Sequence, residues 1–366
     1  MATVELWPSD PLEAARAAGL HYVTGRKKGL TRRRRGQGFS YHTPQGGLVT
    51  DDRQRERIES LVIPPAWEDV WISADPKGHL QASGYDERGR KQYLYHPLYR
   101  AIREATKFNS IADFARALPR VRGRVRKDLK QSGLPKEKVT AAIVRVIDAA
   151  YIRVGNERYR RANQSYGLTT LLSKHIVVHG RTIDLEFTGK SGKDISLSIK
   201  DRHLARILAR CRELPGKNLF QYQENGARGS VDSGDVNDYL QRLAGDGFTA
   251  KHFRTWGGGV LAAAHLRTLG PADSETARKR NVCAAVKHAA AVLFNTPATC
   301  RKYYIHPAIT EAYLAGRLID LMDEADANDG PHRVRGLRKL EQAVLYVLEQ
   351  KAAKALDALV EEAQVA

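Results

Sequence analysis

Cysteine is scarce in this chain and poorly placed for structural work. Cys211, Cys283 and Cys300 are odd in number and far apart, so they form neither a zinc-binding spacing nor a disulfide framework. A disulfide-stapled secreted domain is excluded, and a reducing cytoplasm is expected. No apolar run approaches the roughly 20 residues that cross a bilayer. Met1 to Asp10 holds acids and a proline, not a basic-then-apolar leader. A soluble intracellular protein with no membrane partner is expected. Metal-binding acids are missing too. There is no Asp-x-Asp pair, and the stretch from Asp320 to Asp329 does not match a calcium loop. Gly189-Lys190-Ser191 resembles the end of a phosphate-binding P-loop, but the glycine needed five positions earlier is Asp184. Without a P-loop, Asp323-Glu324-Ala325-Asp326 reads as a solvated acidic loop and not as a helicase box. No metal and no cofactor are expected.

Acid is also in short supply overall. There are 41 Asp and Glu against 60 Lys and Arg, a net charge of +19, so a polyanion is the natural partner, nucleic acid first among them. Hydrophobic residues make up 42% of 366, enough for two or three domains with real cores. The charge is densest early, where Arg26-Lys27-Lys28 and Arg32 to Arg35 place seven basic residues in ten, followed by Phe39-Ser40-Tyr41. That run reads either as a segment tracking phosphates or as an ordinary solvated one.

Periodicity gives an α+β chain. A short helix is expected over Pro11 to Ala18. Strand patterns follow over Trp67 to Ile72, His79 to Tyr85 and Gly89 to Tyr95, with Tyr93 and Tyr95 on one face. From about residue 100 the pattern turns helical. Pro135 opens a helix with Val139, Ala142, Ile143, Val146, Ile147 and Ala150 at helical spacing. A hairpin-rich insert alternates through Ile176 to Val178, Ile183-Leu185-Phe187 and Ile195-Leu197-Ile199, with Gly180, Gly189 and Gly192 at its turns. Helices resume after Asp201, with Val236, Tyr239, Leu240 and Leu243 in one stripe. A long amphipathic helix is expected over 335–363, its apolar side carrying Leu337, Leu340, Val344, Leu348, Leu356 and Leu359. No internal repeat is visible. The expected domains are 1–99, rich in β-strands and carrying the basic segment, 100–322, and a C-terminal helical extension over 323–366.

Five residues stand out when basic groups are read as facing one phosphate. They are Arg153 in Tyr151-Ile152-Arg153-Val154-Gly155-Asn156, Lys190 at the hairpin tip, Arg254 in Lys251-His252-Phe253-Arg254-Thr255-Trp256-Gly257, and Asn295 with Tyr304 in Asn295-Thr296-Pro297-Ala298-Thr299-Cys300-Arg301-Lys302-Tyr303-Tyr304. Thr296 suits an N-cap and Pro297 a first helical position, so Tyr304 is expected about two turns into a helix. Each also has an ordinary reading. Arg153 and Arg254 would be surface ion pairs, Asn295 a capping residue, and Tyr303 and Tyr304 core packing.

In their order and context these stretches resemble the active-site motifs of the poxvirus-type and bacterial type IB DNA topoisomerases, over about residues 60–320. The resemblance implies a small N-terminal β-sheet lobe and a larger, mainly helical catalytic lobe that together clamp duplex DNA as a C-shaped monomer, associated with the nucleoid. It implies that Gln92, Tyr93, Tyr95, Tyr159 and Lys251 contact DNA. It implies catalysis by Arg153, Lys190, Arg254, Asn295 and Tyr304: relaxation of positive and negative supercoils through a 3′-phosphotyrosyl bond, without ATP. The family often has His where Asn295 stands, and an amide can donate to phosphate but cannot carry a proton. The related tyrosine recombinases, one rival reading, carry His-x-x-Arg where this chain has Lys251-x-x-Arg254. A non-enzymatic basic DNA binder, the other rival, explains the charge but not the order of five motifs.

The chemistry suits these residue types. The transition state of phosphoryl transfer gathers charge on the non-bridging oxygens, and arginine offers those oxygens a planar fork of donors. The 5′-oxygen is a poor leaving group until protonated, and the resemblance makes Lys190 the general acid. A free tyrosine titrates near pH 10, so Tyr304 needs a cationic pocket.

Overall fold

The computed structural model describes residues 11–24, 29–36, 38–87, 89–327 and 333–350, without the side chains of 101–109, 158 and 159. The chain divides into two compact units, Met1–Ser110 and Ile111–Ala366.

The first unit opens with α1 (Pro11–Ala17) and holds a five-stranded antiparallel sheet of β1 (Leu30–Arg35), β2 (Gly38–His42), β3 (Glu68–Ile72), β4 (Leu80–Tyr85) and β5 (Lys91–Tyr95), in the order β2-β1-β3-β4-β5. Helix α2 (Asp52–Ser60) is capped by Asp51 and contributes Ile58 to a core with Leu30, Val70, Ile72 and Ala82. This core covers one face of the sheet, while on the other Tyr93 and Tyr95 of β5 are exposed; β4 is buried along Leu80 to Gly84. Three strands lie where the alternation predicts them. The first two do not. The basic run Arg32 to Arg35 is a strand, because pairing with β2, in line with Leu30 and Thr31 on β3, outweighs mutual repulsion once the side chains alternate between faces. Arg26, Lys27 and Lys28 lie outside the described residues.

Helix α3 (Pro97–Asp128) runs through the boundary into the second unit, and α4 (Lys136–Ala150) follows as expected after Pro135. Next come α5 (Glu157–Asn163) and a three-stranded antiparallel sheet, β6 (Ile176–His179), β7 (Thr182–Thr188) and β8 (Asp194–Lys200). Then follow α6 (Arg202–Glu213), a small hairpin of β9 (Gln221–Glu224) and β10 (Ala227–Ser230) absent from the sequence reading, and α7 (Ser233–Ala244). The last elements are α8 (Ala250–Leu269), α9 (Glu275–Val292), α10 (Pro297–Tyr303), α11 (Pro307–Leu314), α12 (Leu318–Ala327) and α13, helical over residues 339–350. Phe114, Ile143, Ile147 and Phe253 sit at the centre of one core that extends to Val344 and Leu348 of α13.

Three local expectations need correction. Tyr304 is the C-cap of α10, because the helix is closed by the Tyr304 N–H bonding the Cys300 carbonyl at 2.9 Å. Asp323 to Asp326 is helical within α12, and Asp323 and Asp326 pair with Arg267. The terminal helix begins at 339, so Leu337 precedes it; Leu356 and Leu359 lie outside the described residues. Among the described residues no helix is long and apolar enough to cross a membrane.

Candidate active site

Helix α8 supplies the centre. Thr249 caps it, and Phe253 and Trp256 bury its sides, which draws Arg254 inward until only 3% of it is exposed. Such a cation needs acceptors, and no carboxylate pairs with it among the described residues. It reaches two backbone carbonyls instead: Nη1 donates to Tyr151, and Nη2 donates to Leu293 at 2.8 Å. Both carbonyls lie at helix ends. Tyr151 closes α4 with φ 54°, and Leu293 closes α9 just before Phe294 at φ 50°. A left-handed conformation costs an aromatic residue about 1 kcal/mol. Here it turns two otherwise orphaned terminal carbonyls onto one guanidinium. Arg254 thus fastens together the two helix ends from which the neighbouring site residues emerge.

Those neighbours follow at once in sequence. Arg153 is two residues past Tyr151, and its Nη2 donates to Asn295 Oδ1 at 2.7 Å. Asn295 comes directly after Phe294, and its N–H bonds the Ala290 carbonyl at 2.9 Å. The cap of α10 is Thr296, which accepts from the Thr299 N–H, so Asn295 is not the capping residue. The adjacent Tyr304 lays its ring 5.1 Å from the Arg254 guanidinium carbon. Its neighbour Tyr303 is 42% exposed and sits under Lys302, which decides which of the two tyrosines faces the cations.

Room for this arrangement comes from glycines that the sequence reading passed over. A Cβ on Gly257 would lie 2.3 Å from the Tyr151 ring, and one on Gly258 would lie 2.4 Å from the Tyr304 carbonyl oxygen. Glycine inside a helix costs roughly 1 kcal/mol against alanine, so Gly257-Gly258-Gly259, beginning three residues after Arg254, is itself a signal of close backbone approach.

The electrostatics favour negative charge at this site. Burial, and next the charge of Arg153, pull Arg254 down to about 10, so at neutral pH it remains a cation in surroundings that disfavour it. Its Nε–H and the Asn295 Nδ2–H are both buried and make no well-formed hydrogen bond, although the Tyr304 hydroxyl is near enough to both residues for their donors to make it more acidic. Buried donors are almost always well satisfied, so these two, with Arg153 close by, form a setting suited to an acceptor with several oxygens. Burial alone would raise the Tyr304 hydroxyl, but Arg254, then Arg153 and Asn295, outweigh it and hold the hydroxyl below its ordinary range.

Four of the five expected site residues therefore converge. Lys190 does not join them. It is exposed in the turn between β7 and β8, where Ser191 and Gly192 take φ of 65° and 70°. No hydrogen bond or ion pair joins it to Tyr304, Arg153, Arg254 or Asn295. Lys251 is exposed on the first turn of α8. The Tyr159 side chain lies outside the described residues.

In the first unit, the open face of the sheet holds two of the five expected DNA contacts, Tyr93 and Tyr95. Tyr93 and Tyr95 are 47% and 44% exposed, with ring centroids 6.1 Å apart. Cross-strand pairing runs His42–Thr31–Trp71–Ser83–Tyr93, so these five side chains share a face. Alternation adds Arg33, Arg35 and Lys91 to it. Arg32 points the other way: it donates to the carbonyls of Ile63, Pro64 and Trp67 and stacks on Phe39 at 4.1 Å. Gln92 also lies opposite the tyrosines and donates to Asp86 at 2.8 Å.

Comparison with known proteins agrees with this geometry. Residues 97–316 match the model of the eukaryotic DNA topoisomerase I catalytic core, and residues 38–86 match the bacterial DNA topoisomerase IB N-terminal domain. The chain is 32% identical to the DNA topoisomerase 1B of Acanthamoeba polyphaga mimivirus over 295 residues, 78% of this chain and 88% of the relative. It is 22% identical to the DNA topoisomerase 1B of vaccinia virus over 288 residues, 75% and 87% of the two chains. The chain belongs to the type IB DNA topoisomerases, isomerases that act on DNA without ATP.

Proposed function

We propose that Tyr304 is the nucleophile of this topoisomerase and that Arg153, Arg254 and Asn295 hold the phosphate it attacks. The observation that carries the reading is the convergence of Arg153, Arg254 and Asn295, two of them with buried donors that make no well-formed hydrogen bond, on a tyrosine whose hydroxyl they make more acidic. In the forward step the Tyr304 oxygen bonds to phosphorus and its proton goes to water. The bond from phosphorus to the 5′-oxygen breaks, and that oxygen takes a proton from Lys190. The products are a 3′-phosphotyrosyl ester and a free 5′-hydroxyl. One ester replaces another, so the strand can swivel and the 5′-hydroxyl can reverse the step without ATP, relaxing supercoils of either sign. The arginines and Asn295 stabilise the charge on the non-bridging oxygens. Lys190 enters when the β7–β8 turn closes on bound DNA, since catalytic contacts often tighten only in the complex.

The same proposal gives DNA two surfaces, the Tyr304 pocket and the open sheet face with Tyr93, Tyr95, Arg33, Arg35 and Lys91. A monomer clamping duplex DNA between a β-sheet lobe and a helical lobe, and acting on nucleoid DNA, is the form the reading takes. The test is direct. Tyr304→Phe should bind duplex DNA as the parent does, relax no plasmid and leave no adduct that survives denaturation. Tyr303→Phe should be nearly normal. The opposite result moves the nucleophile to Tyr303.

A further inference from the structure

The second unit contains a buried ionic cluster that the chemistry above does not use. Arg122 on α3 donates from Nε and Nη2 to Asp148 at 2.9 and 2.7 Å, and from Nη1 and Nη2 to Glu341 at 2.7 Å each. The relative exposures of Arg122, Asp148 and Glu341 are 9%, 4% and 2%. Arg338 closes the cluster, donating its backbone N–H to Glu341 at 3.0 Å and Nη2 to Asp148 at 3.4 Å. Asp148 is in the last turn of α4, three residues before Tyr151. Glu341 is in the first turn of α13, beyond the region matched by the catalytic-core family.

Stability alone is a weak reason for such a cluster. Desolvating several charges is costly, and a well-packed apolar set of the same volume is commonly at least as stable. What the cluster does specify is place. Its charges surround the end of α4, where Tyr151 holds its left-handed turn. The Tyr151 hydroxyl is raised by burial first and then by Asp148, with Glu341, Arg122 and Arg338 also in electrostatic range. From there two links reach the site: the Tyr151 carbonyl accepts from Arg254, and Arg153 follows two residues later.

We propose that Glu341, Arg122 and Asp148 are positioning residues for the reaction, through which α13 sets the Tyr151 turn and with it both active-site arginines. The inference rests on the assignment of Tyr304, Arg153 and Arg254 to the site. Helix α13 is thereby a working part of the enzyme. Its other ties include Glu349 to Arg116, Lys339 to Asp326 and Tyr346 to Glu324, while Glu341 carries it into the cluster.

The test uses the full chain and a duplex oligonucleotide that traps the covalent adduct. Glu341→Gln keeps the shape but removes one charge. It should slow single-turnover adduct formation at saturating DNA by about 10–100-fold, the usual effect of ångström-scale misplacement. DNA affinity by fluorescence anisotropy should stay within about 3-fold, since the charges that meet DNA are untouched. A merely structural role would lower the fraction of active protein and leave the rate of the folded fraction alone. Arg338→Ala, at a half-exposed side chain, serves if Glu341→Gln does not fold. It should slow adduct formation by roughly 3–10-fold, again with affinity unchanged. A folded variant with a cleavage rate within about 2-fold of the parent overturns the inference. Tyr304→Phe runs in parallel. If it forms adduct, the site assignment has failed; if it forms none while the cluster variants are normal, only the positioning role has.

Discussion

Replacing Gly258 with alanine adds one methyl group where α8 passes closest to the backbone of Tyr304. The new Cβ would lie 2.4 Å from the Tyr304 carbonyl oxygen and 2.9 Å from its Cβ. Ordinary contact needs roughly 3.4 Å or more, so either α8 or the end of α10 gives way by about 1 Å. Two effects on stability oppose each other. Alanine is the better helix former by about 1 kcal/mol, and overpacking costs about 1–3 kcal/mol. The net loss should be no more than about 2 kcal/mol, visible as a modest fall in Tm. Catalysis has no such compensation, because a nucleophile displaced by about 1 Å loses on the order of 100-fold in rate. Gly259→Ala is the internal control. Its Cβ would meet only the tip of Ile309 at 3.1 Å, and a flexible methyl can move. Single-turnover adduct formation and thermal melts on both variants give the result. If Gly258→Ala cleaves as fast as Gly259→Ala, the close approach does not position Tyr304.

Three further outcomes are expected. Lys190→Ala should slow cleavage by roughly 10²–10⁴-fold on ordinary DNA and approach the parent rate on a substrate with sulfur at the bridging 5′ position, whose leaving group needs no proton; equal loss on both substrates makes Lys190 a phosphate-binding or structural residue. Because Tyr304 is held below its ordinary range, the cleavage rate should rise with pH and level off below about pH 10, and Arg153→Ala, by removing one cation, should move that inflection upward; an unmoved inflection separates Arg153 from the acidity of Tyr304. Arg33→Ala with Arg35→Ala should weaken duplex binding and flatten the salt dependence by up to about 0.9 per lost phosphate contact, whereas Arg32→Ala should cost about 1–3 kcal/mol of stability at unchanged slope; the reverse pattern would exchange the roles of the two faces of β1.

The local sequence determined what depends on short-range pattern and chemical type. Alternation set β3 to β5 and the sheet β6-β7-β8, Pro135 and Thr296-Pro297 set helix starts, and the types and order of Arg153, Lys190, Arg254, Asn295 and Tyr304 raised the expectation of phosphate chemistry. The run Arg32 to Arg35 could not be divided that way. Four identical residues carry no periodicity, and only the pairing of Leu30 and Thr31 with β3 and of the arginines with β2 sends Arg32 to backbone carbonyls and Arg33 and Arg35 to the open face. The close packing of Gly257 and Gly258 was likewise undecided until their partners were known, the Tyr151 ring for Gly257 and the Tyr304 backbone for Gly258. Longest in reach is the cluster of Arg122, Asp148 and Glu341, brought together from 219 residues apart at its extremes. No local pattern relates such positions, because what joins them is the demand that a buried charge find its counter-charge wherever the folded chain supplies one.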